Sequence, residues 1–283
     1  MKSAAHRAPR TAPAGVSPTE AVHSRAVGLK PGDTAKLLRL MAAEDAVAMR
    51  AVARAVPQLS QLATRVAQAL GAGGRLIYLG AGTSGRLGAL DAAECPPTFG
   101  SKPSQVAALI AGGRAALTRA VEGAEDDAPA GARAIDRARV CARDVVVGIS
   151  ASGGAPWVLA ALAHARARRA FTVLLTCNPN ARSRAAKTIV LRTGAEVIAG
   201  STRLKAAAAT RSALAMISTG AFTRLGRVRA GRMVALALTN QKLEVRALRT
   251  VAALAGVPLA RARKALATAR DDVAAAVDRL GLE

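Results

Sequence analysis

Aromatic side chains are almost missing: one tryptophan, one tyrosine and three phenylalanines in 283 residues. A core must therefore be packed from alanine, valine and leucine, and there is next to nothing on which nucleic-acid bases would stack. Acids are scarce too, 18 against 41 lysines and arginines, for a formal charge of +23. A surplus of that size suggests a polyanionic partner. The basic residues are scattered along the whole chain, Arg114, Arg166, Arg182, Arg211, Arg232 and Arg261 among them, and form no compact block. That distribution argues against a nucleic-acid surface and for a basic background that attracts small anions in a salt-dependent way. The three cysteines, Cys95, Cys141 and Cys177, are too few and too widely spaced for a disulfide framework or a zinc site. They read as reduced thiols of a cytoplasmic protein. His6, His23 and His164 lie in no site-like context and no metal-ligand spacing occurs, so no metal is expected. No apolar run is long enough to span a bilayer. Residues 1–15 carry charge without the apolar stretch of a secretory signal and read as a flexible tail.

What is present is alternation. After an irregular start, a helical pattern begins at Asp33 with Leu37, Leu38, Leu40 and Met41, and a longer helix from Val47 to Leu70 is expected to break near Pro57. Then the period changes. Leu76 to Leu79, Val106 to Ile110, Val145 to Ile149, Phe171 to Leu175 and Thr188 to Leu191 are short apolar runs bounded by turn residues, the mark of buried strands. Helices are expected over residues 114–122, 156–167 and 201–225, and in three short pieces from Asn240 onward, broken at Gly256 and Pro258 and near Arg270. Strand alternating with helix implies an α/β fold, a doubly wound parallel sheet with helices on both faces. N-terminal helices precede it and a small C-terminal helical region follows. The expected divisions are 1–65, 66–229 and 230–283.

The chemistry concentrates in two turns. Leu79-Gly80-Ala81-Gly82-Thr83-Ser84-Gly85-Arg86 runs from a buried strand through glycines and two hydroxyls into a helix. A helix N-terminus with free N–H groups, close backbone approach and neighbouring hydroxyls suits a phosphate. The same pattern also fits an ordinary N-cap after a tight turn. A dinucleotide loop fits poorly, because no acid ends the next strand to hold a ribose. The second turn, Gly148-Ile149-Ser150-Ala151-Ser152-Gly153-Gly154-Ala155-Pro156, repeats the combination after the third strand. Two such turns at the carboxyl ends of neighbouring parallel strands face one crevice. In a chain poor in acids, Glu94 at the end of the first crossover helix and Glu122 and Glu125 after the second stand out. Singly, each also fits a solvated helix end.

These segments resemble the N-acetylmuramic acid 6-phosphate etherase family. The likeness runs through residues 77–88, Asp91 to Thr98, Ile110 to Gly113, Ala120 to Asp126, Cys177-Asn178-Pro179, Gly194 to Val197, Ser201 to Ala206, and Thr239 to Leu243, and covers nearly everything from about Thr19 onward. It implies a sugar isomerase (SIS) domain that binds phosphosugars and forms homodimers without metal or organic cofactor. The implied reaction removes the lactyl ether of the sugar in the cytoplasm, as part of cell-wall sugar recycling. An aldehyde at C1 of the open-chain sugar acidifies the C2 proton. A base takes it, lactate leaves from C3, and water adds to the unsaturated aldehyde; each step needs general acid–base help. By resemblance, Glu94 is the acid for the departing lactate and Glu125 its acid–base partner. Thr83, Ser84, Ser150, Ser152 and Gly153 hold the phosphate, and Glu196, Arg203 and Lys205 are further candidate substrate contacts.

One departure from the family stands in the second turn. Gly154-Ala155 replaces a common Arg-Thr, which removes a hydroxyl at position 155. Other readings on the same fold are a non-catalytic phosphosugar sensor, such as the glucokinase regulatory protein, and an aldose–ketose isomerase. A sensor has no use for both Glu94 and Glu125.

Overall fold

The computed structural model describes residues 17–235 and 241–281. Five parallel strands form one sheet: β1 (Leu76–Gly80), β2 (Val106–Ile110), β3 (Val145–Ile149), β4 (Phe171–Thr176) and β5 (Lys187–Val190), in the order β2-β1-β3-β4-β5. Both faces are apolar because both are covered, as parallel sheets require. Leu76, Tyr78, Val145 and Val147 pack under α1 (Thr34–Gly71), α2 (Gly82–Phe99) and α6 (Lys205–Arg224). Ile77, Leu79, Val146 and Leu174 face the other way, onto α4 (Ala128–Arg137) and α5 (Pro156–Ala167). Alanines replace aromatics at the closest approaches, with Ala161, Ala206, Ala209 and Ala213 fully buried. The one stacked aromatic pair among the described residues, Phe99 on Phe222 at 4.7 Å, ties α2 to α6.

Two expectations need correction. Helix α1 continues unbroken through Pro57. Pro57 is exposed, while Val52, Ala55, Leu59 and Leu62 carry one buried stripe past it, so packing outweighs the single lost hydrogen bond. The same helix contributes Val66 and Leu70 to the core under the sheet. The helix expected over 114–122 is only one turn, α3 (Ala115–Thr118), because the chain turns through Gly112, Gly113 and Gly123, all at positive φ. The second crossover helix is instead α4, masked in sequence by Pro129 and Gly131. Asp127 caps it by accepting from the N–H of Ala130, with Pro129 in its first turn. A two-residue hairpin, β6 (Val228–Arg229) with β7 (Arg232–Met233), also went unread.

The three C-terminal pieces are present as α7 (Gln241–Ala255), α8 (Leu259–Thr268) and α9 (Val273–Arg279). They share a core of their own with Val234, built on Ala247, Val251, Ala262 and Val273. No helix among the described residues is long and apolar enough to cross a membrane.

Strand order sets the place of the site. The crossover direction reverses between β1 and β3, and β1 pairs with β3 so that Gly80 lies opposite Ile149. The turns that follow these two residues therefore open side by side on the crevice where sheets of this order bind ligands.

Candidate active site at the carboxyl end of the sheet

The first turn is drawn tight by glycine. A Cβ on Gly80 would meet the Gly85 nitrogen at 2.4 Å, and one on Gly85 would meet Ile110 Cγ1 at 2.5 Å. Without those carbons α2 starts directly above the strand end. No side chain caps α2, whose first intrahelical bond runs from Gly85 N–H to the Ala81 carbonyl at 3.3 Å. The N–H groups of Thr83 and Ser84, and their hydroxyls, make no hydrogen bond among the described residues. The ordinary-cap alternative thus fails here, since neither hydroxyl caps the helix. Arg86 points away and binds the carbonyls of Ala116 and Arg119, both at 2.9 Å.

The second turn is held from inside. Ser150 is buried, and its Oγ accepts from the Gly153 N–H at 3.1 Å. Gly153 sits at φ +74°, and a Cβ there would come within 2.3 Å of Ala181 Cβ, so both conformation and space demand glycine. Ser152 Oγ accepts from the Gly154 N–H at 3.3 Å. Two residues given no role from sequence brace this loop. Asn178 Nδ2 donates to the Ser152 carbonyl at 2.9 Å, and Thr176 Oγ1 donates to the Ala151 carbonyl at 3.1 Å. The Asn-Pro turn of residues 178–179 was the signal for the first of them.

The glutamates separate. The Glu125 carbonyl accepts from the Trp157 N–H at 2.8 Å, which fastens this segment to the start of α5, beside the second turn. Glu94 lies elsewhere. It is ten residues beyond Ser84 on α2, about 15 Å along the axis at 1.5 Å per residue. Because α2 runs back antiparallel to β1, that carries Glu94 to the amino end of the sheet. Both carboxylates are exposed. One chain thus brings together Thr83, Ser84, Ser150, Ser152, Gly153 and Glu125, and leaves Glu94 outside that group.

Glu94 lines a cavity of about 280 Å³ between α2 and α6 with Leu87, Asp91 and Arg211. Asp91 beneath it accepts from Tyr78 Oη at 2.8 Å and Ser218 Oγ at 3.0 Å. Burial raises the Asp91 carboxyl above its ordinary range, against the pull of those two bonds and of Arg211, and pushes the neighbouring Cys95 thiol up to about 12. An adjoining cavity of about 360 Å³ is lined by Glu196, Arg203 and Lys205, the further candidates, and again by Leu87 and Arg211. Two of the three are committed internally. Glu196, fully buried, caps α6 by accepting from the N–H groups of Ala206 at 2.9 Å and Lys205 at 3.3 Å. Lys205 Nζ pairs with Glu44 at 2.5 Å, and Glu44 also meets His23 at 3.2 Å. Arg203 is exposed. No group of three or more His, Cys, Asp or Glu side chains able to hold a metal occurs among the described residues. Thr239 and Asn240, in the last of the matched segments, and His6 lie outside the described residues.

A 2-1-3-4-5 parallel sheet with two hydroxyl-bearing turns at its reversal point is a doubly wound α/β domain with its ligand crevice between β1 and β3, and its sequence makes it a SIS-type one. Residues 58–166 match the family model of the glucokinase regulatory protein N-terminal SIS domain. The fold is also that of E. coli CFT073 c3406, solved in complex with A5P, at a TM-score of 0.50 and 15% identity over 72% of this chain and 97% of that one. Sequence relatives are nearer. N-acetylmuramic acid 6-phosphate etherase of Gloeobacter violaceus is 49% identical over 83% of this chain and 78% of its own length. The etherase of Aeromonas hydrophila is 45% identical over 89% and 85%, and etherase 1 of Bacillus licheniformis 43% identical over 92% and 86%. The chain belongs to the N-acetylmuramic acid 6-phosphate etherase family.

Proposed function

We propose that this protein cleaves the D-lactyl ether of N-acetylmuramic acid 6-phosphate, giving N-acetylglucosamine 6-phosphate and D-lactate. The observation that carries the reading is the pair of adjacent turns with open donors, in a chain of this family. The phosphate takes the N–H groups of Thr83 and Ser84, their hydroxyls, and Ser152, with Ser150 and Gly153 shaping the second turn. The C2 proton goes to a base, the C3–oxygen bond breaks as the C2–C3 double bond forms, and the lactate oxygen receives a proton from Glu94. Water adds at C3, and Glu125 serves as acid–base partner to Glu94. The balance needs water alone. A phosphorylated substrate of this kind is a cytoplasmic metabolite, and the reading places the protein there.

The 15 Å separation along α2 bears on assembly. The phosphate turns and Glu94 of one chain cannot reach one sugar, so we infer that the site is completed across a homodimer, Glu94 of one copy serving the turns and Glu125 of the other. The outer face of the α1, α2 and α6 layer supports this. Met49, Val56, Leu90 and Met216 are each more than 40% exposed there, and Met49 and Met216 flank Ser212, whose Oγ reaches the Met49 sulfur at 3.6 Å. A two-fold interface uses one such patch twice.

Incubation of the purified protein with N-acetylmuramic acid 6-phosphate tests the activity. D-lactate is the expected product; none would overturn the reading. Unphosphorylated N-acetylmuramic acid is expected to react far more slowly, because phosphate binding positions the reacting carbons.

A further inference from the structure

The leaving group is itself an anion. Its carboxylate is one carbon from the ether oxygen that Glu94 is to protonate, so it must lie within the cavity that Glu94 lines. Among the described residues, Arg211 is the one cation lining that cavity. It is exposed on α6, and its guanidinium makes no hydrogen bond or ion pair among the described residues. Asp91, in the same cavity, is occupied: it is held by Tyr78 and Ser218 and meets Arg211 only through space. The neighbouring cations do not compete for the place. Lys205 is buried against Glu44, and Arg203 lines only the adjoining cavity.

We propose that Arg211 binds the lactyl carboxylate and selects the ether to be cleaved, an inference that rests on the assignment of Glu94 above. A planar guanidinium with five free donors matches a carboxylate in two parallel hydrogen bonds. Leu87, Leu90 and Ala215, which line the same cavity, offer an apolar wall to the lactyl methyl. Held there, the carboxylate is neutralised beside Glu94, and the ether oxygen is turned toward the acid. Arg211 is a specificity residue on this account, with no proton of its own to give.

Two substrates separate this role from a structural one: N-acetylmuramic acid 6-phosphate and the 3-O-ethyl ether of N-acetylglucosamine 6-phosphate, which lacks the carboxylate. Release of D-lactate and of ethanol is measured for the wild-type protein, R211Q and R211K. R211Q is expected to lose about 100-fold or more in kcat/KM on the lactyl ether, with a raised KM, and to stay within a few-fold of wild type on the ethyl ether. R211K recovers part of the loss, since a point charge replaces the two-pronged contact. Equal losses on both ethers, or no loss on the lactyl ether, overturn the role of Arg211 while leaving the etherase reading standing. A wild-type protein that releases nothing from either ether overturns both.

Discussion

The two ends of the sheet are finished in opposite ways. At the amino end, Arg75 and Asp144 spend their hydrogen bonds on each other and on backbone. Arg75 Nη2 and Nε reach the carboxylate at 2.6 and 3.1 Å, and its Nη1 and Nη2 also reach the carbonyls of Ala138 and Arg139 at 3.0 Å. Asp144, 2% exposed, accepts in addition from the N–H groups of Arg75 and Cys141. The bond to Asp144 raises the Arg75 guanidinium pKa further above its ordinary value. At the carboxyl end, Thr83 and Ser84 offer hydroxyls and N–H groups with no partner among the described residues. A closed network fixes the sheet, whereas open donors at a helix start wait for an anion. Stability and binding are thus assigned to opposite edges of one sheet, and Glu94 is the exception, a candidate catalytic group at the stable edge.

The largest expected effect breaks the chemistry alone. Glu94→Gln and Glu125→Gln should each lower D-lactate release by about 10²- to 10⁴-fold, with thermal unfolding unchanged because both side chains are exposed. Glu94→Gln should still bind the phosphosugar. If another group is the C2 base, it should also still exchange the C2 hydrogen in deuterated water. Turnover within a few-fold of wild type in both variants would make them mere solvated helix ends. Next comes the closed end. Asp144→Ala takes the counter-ion from the partly buried Arg75 and leaves the backbone N–H groups of Arg75 and Cys141 unpartnered, and should cost about 3 kcal/mol in denaturant unfolding, with kcat per folded molecule retained. A loss of activity without a loss of stability would erase the contrast between the edges. At the open end, Ser84→Ala should raise KM about tenfold, the size of one hydrogen bond to a charged group, and leave stability alone. The smallest effect sharpens the second turn. Ala155→Thr restores a hydroxyl at the start of α5 and should lower KM by a few-fold, on the order of 1 kcal/mol; a clear rise would mean that the turn is built around Gly154 and Ala155.

Much of this was legible because the residues that carry it are locally dictated. Runs such as Leu76 to Leu79 and Val145 to Ile149 are apolar on both faces, which only a covered parallel strand allows. Pro156 marked the start of α5, and the glycines and hydroxyls marked both turns. Helix α4 was not legible, because Pro129 and Gly131 read as breakers while its stability comes from packing on α5: a Cβ on Gly131 would lie 2.2 Å from the Trp157 carbonyl. The commitment of Lys205 and Glu196 to internal contacts was hidden for a related reason, since Glu44 is 161 positions from its lysine. Arg211 vanished into a basic background of 41 lysines and arginines. The placement of Glu94 was legible and passed over: ten helical residues from Ser84 already put it beyond the reach of one sugar.

Whether the two edges meet across two copies is answered by mixing inactive proteins. Glu94→Gln and Glu125→Gln homodimers are unfolded together, refolded as a mixture and assayed for D-lactate release. If each site takes Glu94 from one copy and Glu125 from the other, every mixed dimer has one intact site, and the mixture should recover about a quarter of wild-type activity. Activity that stays at the level of the separate mutants would contradict the account, because it would place both glutamates of each site in one chain.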